Sequence, residues 1–123
     1  MIKGFETITA DLSNDELQMV QSIIKGLKGK QGKDMAITGA KICDAMGLSG
    51  PRLRKIINHI RINNLLPGLC STSNGYFIAT NIEEMNDYII SLKQRIKAQV
   101  DVLNALEQQT IIFGGTGQTT LFE

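Results

Sequence analysis

Apolar residues recur three and four positions apart at Leu17, Val20, Ile24 and Leu27. That spacing gathers them on one face of a helix. Ser13 followed by Glu16 has the capping-box spacing at the front of this helix, and Gly29 supplies a stop. KGKQGKD reads as a loop and MAIT as one short strand. Thr38 then caps a second helix over GAKICDAM, with Ile42, Cys43 and Met46 inward. The next four residues, GLSG, form a tight turn. A third helix follows from Pro51, a favoured first helical position, to Asn64, with Leu53, Ile56, Ile57 and Ile60 on its inner face. LLPGLC and YFIAT are expected as two short strands around STSNG, where Asn74 and Gly75 give the hairpin signal.

The period changes after Asn81. Asn81 and Glu84 repeat the capping-box spacing, and neither glycine nor proline interrupts the chain as far as Gln109. Met85, Ile89, Leu92, Ile96, Gln99, Leu103 and Leu106 fall at alternating intervals of four and three, the mark of a coiled-coil seam about three heptads long. The first two turns are expected to lie against the first helix. Beyond about Lys97 a small domain offers little core, so these positions are expected to pair two identical chains in a homodimer, with Gln99 fixing register at some cost in stability. The expected fold is mainly α with a small β-hairpin. It divides into a domain over residues 1–80, a coiled-coil helix over 81–110 and a tail over 111–123.

A chain of 123 residues with 42% hydrophobic and 20% charged residues suits one soluble domain with appendages. No apolar run approaches the roughly 18 to 20 residues that span a bilayer, so no membrane partner is expected. MIKGFETITADLS lacks the apolar block of a secretory signal, which points to the cytoplasm. Cys43 and Cys70 show no CxxC spacing, and His59 is the sole histidine, so neither a metal site nor a cofactor is expected. His59 also lacks a partnered nucleophile or paired carboxylates, which argues against an enzyme.

The net charge of +1 conceals a segregation. Residues 25–61 carry nine bases against Asp34 and Asp44, while residues 1–24 and 81–123 are both acidic in balance. A basic block flanked by acidic segments suits a nucleic-acid footprint, although loop lysines are often only solvated.

Within that block, GLSGPRLRKIINHIRINNLL followed by a small hairpin resembles a winged helix-turn-helix domain over about residues 13–80. Gly47, Leu48 and Ser49 match the glycine, apolar residue and serine that precede the recognition helix in a widespread form of that family. The chain is also similar to small winged-helix proteins of bacteriophages and prophages. It departs at Asn64, where many relatives have glycine, although asparagine tolerates the left-handed conformation that ends a helix. The resemblance implies a third helix in the major groove of double-stranded DNA. At about 100° per residue, Pro51, Lys55 and Asn58 lie opposite the inner face, Arg52 and His59 on one shoulder, and Arg54 and Arg61 on the other. Arg52, Lys55 and Asn58 are then the candidate base readers. Ser49, Arg54, Arg61 and the wing residues Thr72, Ser73 and Asn74 would contact phosphate. No acid stands between Pro51 and Asn81, but the wing itself holds no arginine or lysine. Transcriptional repression and service as a protein adapter are the alternative roles, since fold does not fix function.

The tail, TIIFGGTGQTTLFE, ends on an apolar pair after a run of glycines. QTTLF resembles the peptide by which bacterial replication and repair proteins dock on the DNA polymerase sliding clamp. Gln118, Leu121 and Phe122 match its fixed positions, while Thr119 and Thr120 depart from the commoner leucine and serine or aspartate. The resemblance implies a replication accessory protein; the other reading is a tail folded over its own core.

Overall fold

The computed structural model describes residues 11–114. Four α-helices and one antiparallel hairpin, α1 (Asn14–Lys28), α2 (Gly39–Met46), α3 (Gly50–Ile62), β1 (Leu69–Thr72), β2 (Gly75–Ile78) and α4 (Ile82–Gln109), are accompanied by 3₁₀ turns at Lys33–Met35 and at Thr110–Phe113, the latter taking in the start of the expected tail. Two compact units divide the chain, the boundary falling between Tyr88 and Ile89 inside α4. The expected division at residue 80 lies about two turns earlier.

In the first unit, α1 begins with the capping box that its sequence announces. Ser13 Oγ accepts a hydrogen bond from the Glu16 amide at 3.2 Å, and Glu16 Oε1 accepts one from the Ser13 amide at 2.9 Å. Val20, Ile23, Ile24 and Leu27 form its buried face, whereas Leu17, expected inward, is exposed. Ile23 takes the inward place and joins Val20, Ile24 and Leu27 in the core cluster, while on the first turn the buried position is Glu16, next to Leu17.

The core is centred on α3, whose Leu53, Ile56, Ile57 and Ile60 are all buried against α1, Ile42 of α2 and Leu48 of the connecting turn. Close packing of aliphatic side chains from three helices is what orients α3. The helix ends in a Schellman motif. The Leu65 amide donates to the Ile60 carbonyl at 3.0 Å and the Asn64 amide to the Arg61 carbonyl at 3.2 Å, with Asn64 left-handed at φ 54°. Asparagine does here what glycine does in many helix ends.

In the hairpin Leu69 pairs with Ile78 and Cys70 with Phe77, and all four are buried. Leu69 and Ile78 join the helical core, while Cys70 on the other face has its Sγ 3.7 Å from Met85 Sδ. Thr72 pairs with Gly75, so Ser73 and Asn74 form the two-residue turn and the asparagine–glycine signal sits one residue further along than its centre.

The short strand expected at MAIT is reduced to one residue. Lys33–Met35 turn as a 3₁₀ helix, and Ile37 alone pairs with Tyr76 through backbone bonds of 2.9 and 2.8 Å. Upstream, Ile78 exchanges bonds with the Lys30 carbonyl and the Gly32 amide at 2.7 and 2.8 Å. The outer edge of β2 is therefore covered by an interrupted segment. This close approach requires Gly75, at φ 119°, because a Cβ there would run into the Ile37 carbonyl.

Helix α4 is capped by Asn81, whose Oδ1 accepts from the Glu84 amide at 2.9 Å. Glu84 does not complete a capping box. Its carboxylate accepts from the Thr80 amide at 2.8 Å and from the Lys33 amide at 2.9 Å, which ties the 30s loop to the start of α4 and holds this carboxyl below its ordinary range. None of its 28 residues is buried. The first two turns meet the hairpin through Met85, beside Cys70, and the end of α3 through Tyr88, beside Arg61; the packing expected against α1 is not among these contacts.

Candidate nucleic-acid interface

Helices α2 and α3 are joined by Gly47, Leu48 and Ser49, with Gly47 left-handed and Leu48 buried. Ser49 caps α3: its Oγ accepts from the Arg52 amide at 3.4 Å. Its hydroxyl therefore already serves the helix end, where exposed amides also suit an anion.

The basic residues of α3 fall into three settings. Arg54 is exposed, beside a shallow groove lined by Gly39, Asp44, Leu53 and Tyr76. Arg52 and Lys55 both turn towards α1, where they meet Glu16. Lys55 Nζ lies 2.7 Å from Glu16 Oε1, and Arg52 Nε donates to Glu16 Oε2 at 3.1 Å. The Glu16 side chain is only 3% exposed and that of Lys55 14%, while Arg52 remains 40% exposed. Lys55 is thus an internal counter-ion; Arg52 is held by its Nε with much of its side chain still in solvent.

The carboxylate of Glu16 gathers hydrogen bonds from Lys55, the Ser13 amide and Arg52. Led by the Lys55 bond and opposed by burial, these contacts lower its pKa from the ordinary 4.5 to about 2. The sequence reveals Glu16 as a helix cap and nothing more. Its partners lie 36 and 39 positions away, and no local spacing reports a contact that exists only because α1 packs beside α3.

Arg61 has a third setting. Its Nε donates to the Leu69 carbonyl at 3.2 Å and Nη2 to Ser71 Oγ at 3.3 Å, while its guanidinium lies 5.8 Å from the Tyr76 ring centre and 5.0 Å from that of Tyr88. It joins the end of α3 to the hairpin and to the start of α4. A phosphate contact expected of this side chain would compete with four internal contacts.

Asn58 and His59 are half-buried. His59 receives its local partner from Asn63, whose Nδ2 lies 3.3 Å from His59 Nδ1 and donates to the His59 carbonyl at 2.9 Å. At the hairpin tip, Ser73 and Asn74 are exposed, and Thr72 Oγ1 accepts from the Asn74 amide at 3.2 Å, which sets the turn. The structure thus brings Arg52 and Lys55 together with Glu16, engages Ser49 as the cap of α3, ties Arg61 to the hairpin, and leaves Arg54, Ser73 and Asn74 at the surface. The positions expected to bind the sliding clamp, Gln118, Leu121 and Phe122, lie outside the described residues.

Cys43 and Cys70 are free thiols, and burial raises the pKa of Cys70, which keeps it protonated and unreactive. Among the described residues no group of three or more His, Cys, Asp or Glu side chains is placed to hold a metal ion. No described helix is long and apolar enough to cross a membrane. Comparison with protein-family models, curated proteins and solved structures found no match in any of the three.

Proposed function

We propose that the unit ending at Tyr88 is a winged helix-turn-helix that binds double-stranded DNA, with α3 in the major groove and the β1–β2 hairpin as its wing. The observation that carries this reading is an acid-free run from Pro51 to Thr80, folded as one helix after a three-residue turn and one hairpin. The carboxylate that does reach α3, Glu16, meets two cations, so the cluster keeps a net positive charge. Arg52, Arg54 and Asn58 are the side chains assigned to base edges and neighbouring phosphates, and Ser73 and Asn74 to the backbone beside the wing. Lys55 and Arg61 are reassigned to holding α3 in place.

Replication is the role we favour, with the tail docking Gln118, Leu121 and Phe122 on a bacterial sliding clamp; repression of transcription is the alternative. A peptide of residues 114–123 should bind the clamp, and Phe122→Ala should cost about 2 kcal/mol or more, as for an aromatic anchor in a desolvated pocket. The inward pairing of Lys55 and Arg61 favours a second reading, a protein adapter.

Fluorescence anisotropy with duplex DNA at two salt concentrations separates the DNA and adapter readings. Binding should weaken steeply as salt rises, and Arg54→Ala with Asn58→Ala should reduce affinity about tenfold or more without unfolding the protein. A folded double variant that binds as tightly as the parent, or a parent that does not bind at low salt, would overturn the DNA reading.

A further inference from the structure

Helix α4 continues well past Tyr88, and there its apolar side chains are left in solvent. Ile89, Leu92, Ile96, Leu103 and Leu106 are between 39% and 56% exposed, and Val100 and Val102 lie beside them, also exposed. A lone helix that presents such a stripe to water gains little from forming, because most helical stability in proteins comes from burying an amphipathic face. The stripe calls for a cover, and its composition identifies one.

Heptad phase assigns Ile89, Ile96 and Leu103 to the a positions and Leu92, Gln99 and Leu106 to the d positions. Isoleucine at two of the three a positions and leucine at two of the three d positions is the choice that favours two strands in a parallel coiled coil, Leu103 and Gln99 being the departures. Lys97 and Asp101 occupy the b and f positions on the far side, where their 2.7 Å ion pair is largely exposed. That ion pair lies away from the seam, whose apolar side chains remain exposed. Gln99, the polar residue at a d position, would meet its own copy only in a parallel, in-register pair.

We infer that residues 89–106 form a parallel two-stranded coiled coil with a second copy of this chain. In such a pair Ile89 lies against Ile89 and Leu106 against Leu106. The chain order then sends both DNA-binding units out from the same end of the seam. A symmetric pair of reading heads suits a two-fold symmetric DNA site. The seam itself does not depend on the DNA reading.

Light scattering of the full chain at tens of micromolar should give twice the mass of one chain, because a dimer's population depends on protomer concentration. Leu103→Asp with Leu106→Asp should return it to monomers while the first unit keeps its melting transition, since that unit does not include these residues. Orientation is read by cysteine placement in a Cys43→Ser background. Leu106→Cys should cross-link to itself under mild oxidation, and should not cross-link to Ile89→Cys in a mixture. A monomeric parent, a trimer or larger assembly, or cross-linking of Leu106→Cys to Ile89→Cys alone would overturn the inference. DNA binding is scored separately with the Arg54→Ala and Asn58→Ala variant, so failure of the seam and failure of the DNA reading give different results.

Discussion

Replacing Glu16 with glutamine keeps the shape of the side chain and removes its charge, and the structure states what that should cost. The carboxylate is 3% exposed and takes hydrogen bonds from Lys55 and Arg52. A folded-state pKa of about 2, against an ordinary 4.5, corresponds to roughly 3 kcal/mol in favour of the ionised folded form, at about 1.4 kcal/mol per pH unit. Glu16→Gln should therefore lower stability at pH 7 by about 3 kcal/mol, consistent with a buried cation losing its partner. Because the folded-state pKa is depressed, this stabilisation is fully present above about pH 4.5 and disappears as pH falls through about 2. Urea denaturation of parent and variant across pH 7 to 2 isolates the effect, since every other group titrates in both proteins. The gap between the two curves should stay constant down to about pH 4.5 and then close. A gap of the same size at pH 7 and pH 2, or no gap at pH 7, would refute the claim that ionised Glu16 holds Arg52 and Lys55.

Gly75→Ala should destabilise by about 3 kcal/mol or more, measured by thermal or chemical denaturation, because the added Cβ meets the Ile37 carbonyl at a φ of 119°. Arg61→Lys keeps the charge but loses the planar contacts to Leu69, Ser71, Tyr76 and Tyr88; it should cost about 1 to 2 kcal/mol, read from the denaturation midpoint. Asn64→Val places a β-branched residue at φ 54° and should cost about 1 to 2 kcal/mol, whereas Asn64→Gly should leave stability unchanged or slightly raised in the same assay.

Local chemistry was readable in the sequence wherever a physical cause lies within four or five residues. Ser13 and Thr38 announce helix starts because a side-chain oxygen can satisfy an amide only at that spacing, and Ser49, expected to contact phosphate, does the same for α3. The Leu53, Ile56, Ile57 and Ile60 pattern identifies the buried face of α3, and Asn64 marks its left-handed end. The four-three spacing beyond Ile89 falls on a helix that does form, Ile82–Gln109, with its apolar side chains exposed.

Tertiary structure decided what the charged residues do. A helical wheel cannot know that α1 runs beside α3, so it sends Lys55 to solvent where the structure sends it to Glu16. Arg61 has the same history: its partners come from the hairpin and from α4, up to 27 positions along the chain. Leu17 fits the period but faces water, its neighbour Glu16 being the buried position on that turn, and MAIT fails to make a strand because the 3₁₀ turn at Lys33–Met35 leaves only Ile37 in reach of Tyr76. Periodicity measures the intrinsic geometry of one element, but long side chains such as arginine and lysine reach several ångströms beyond it. Their destination depends on which neighbour arrives, and only the packed fold supplies that neighbour.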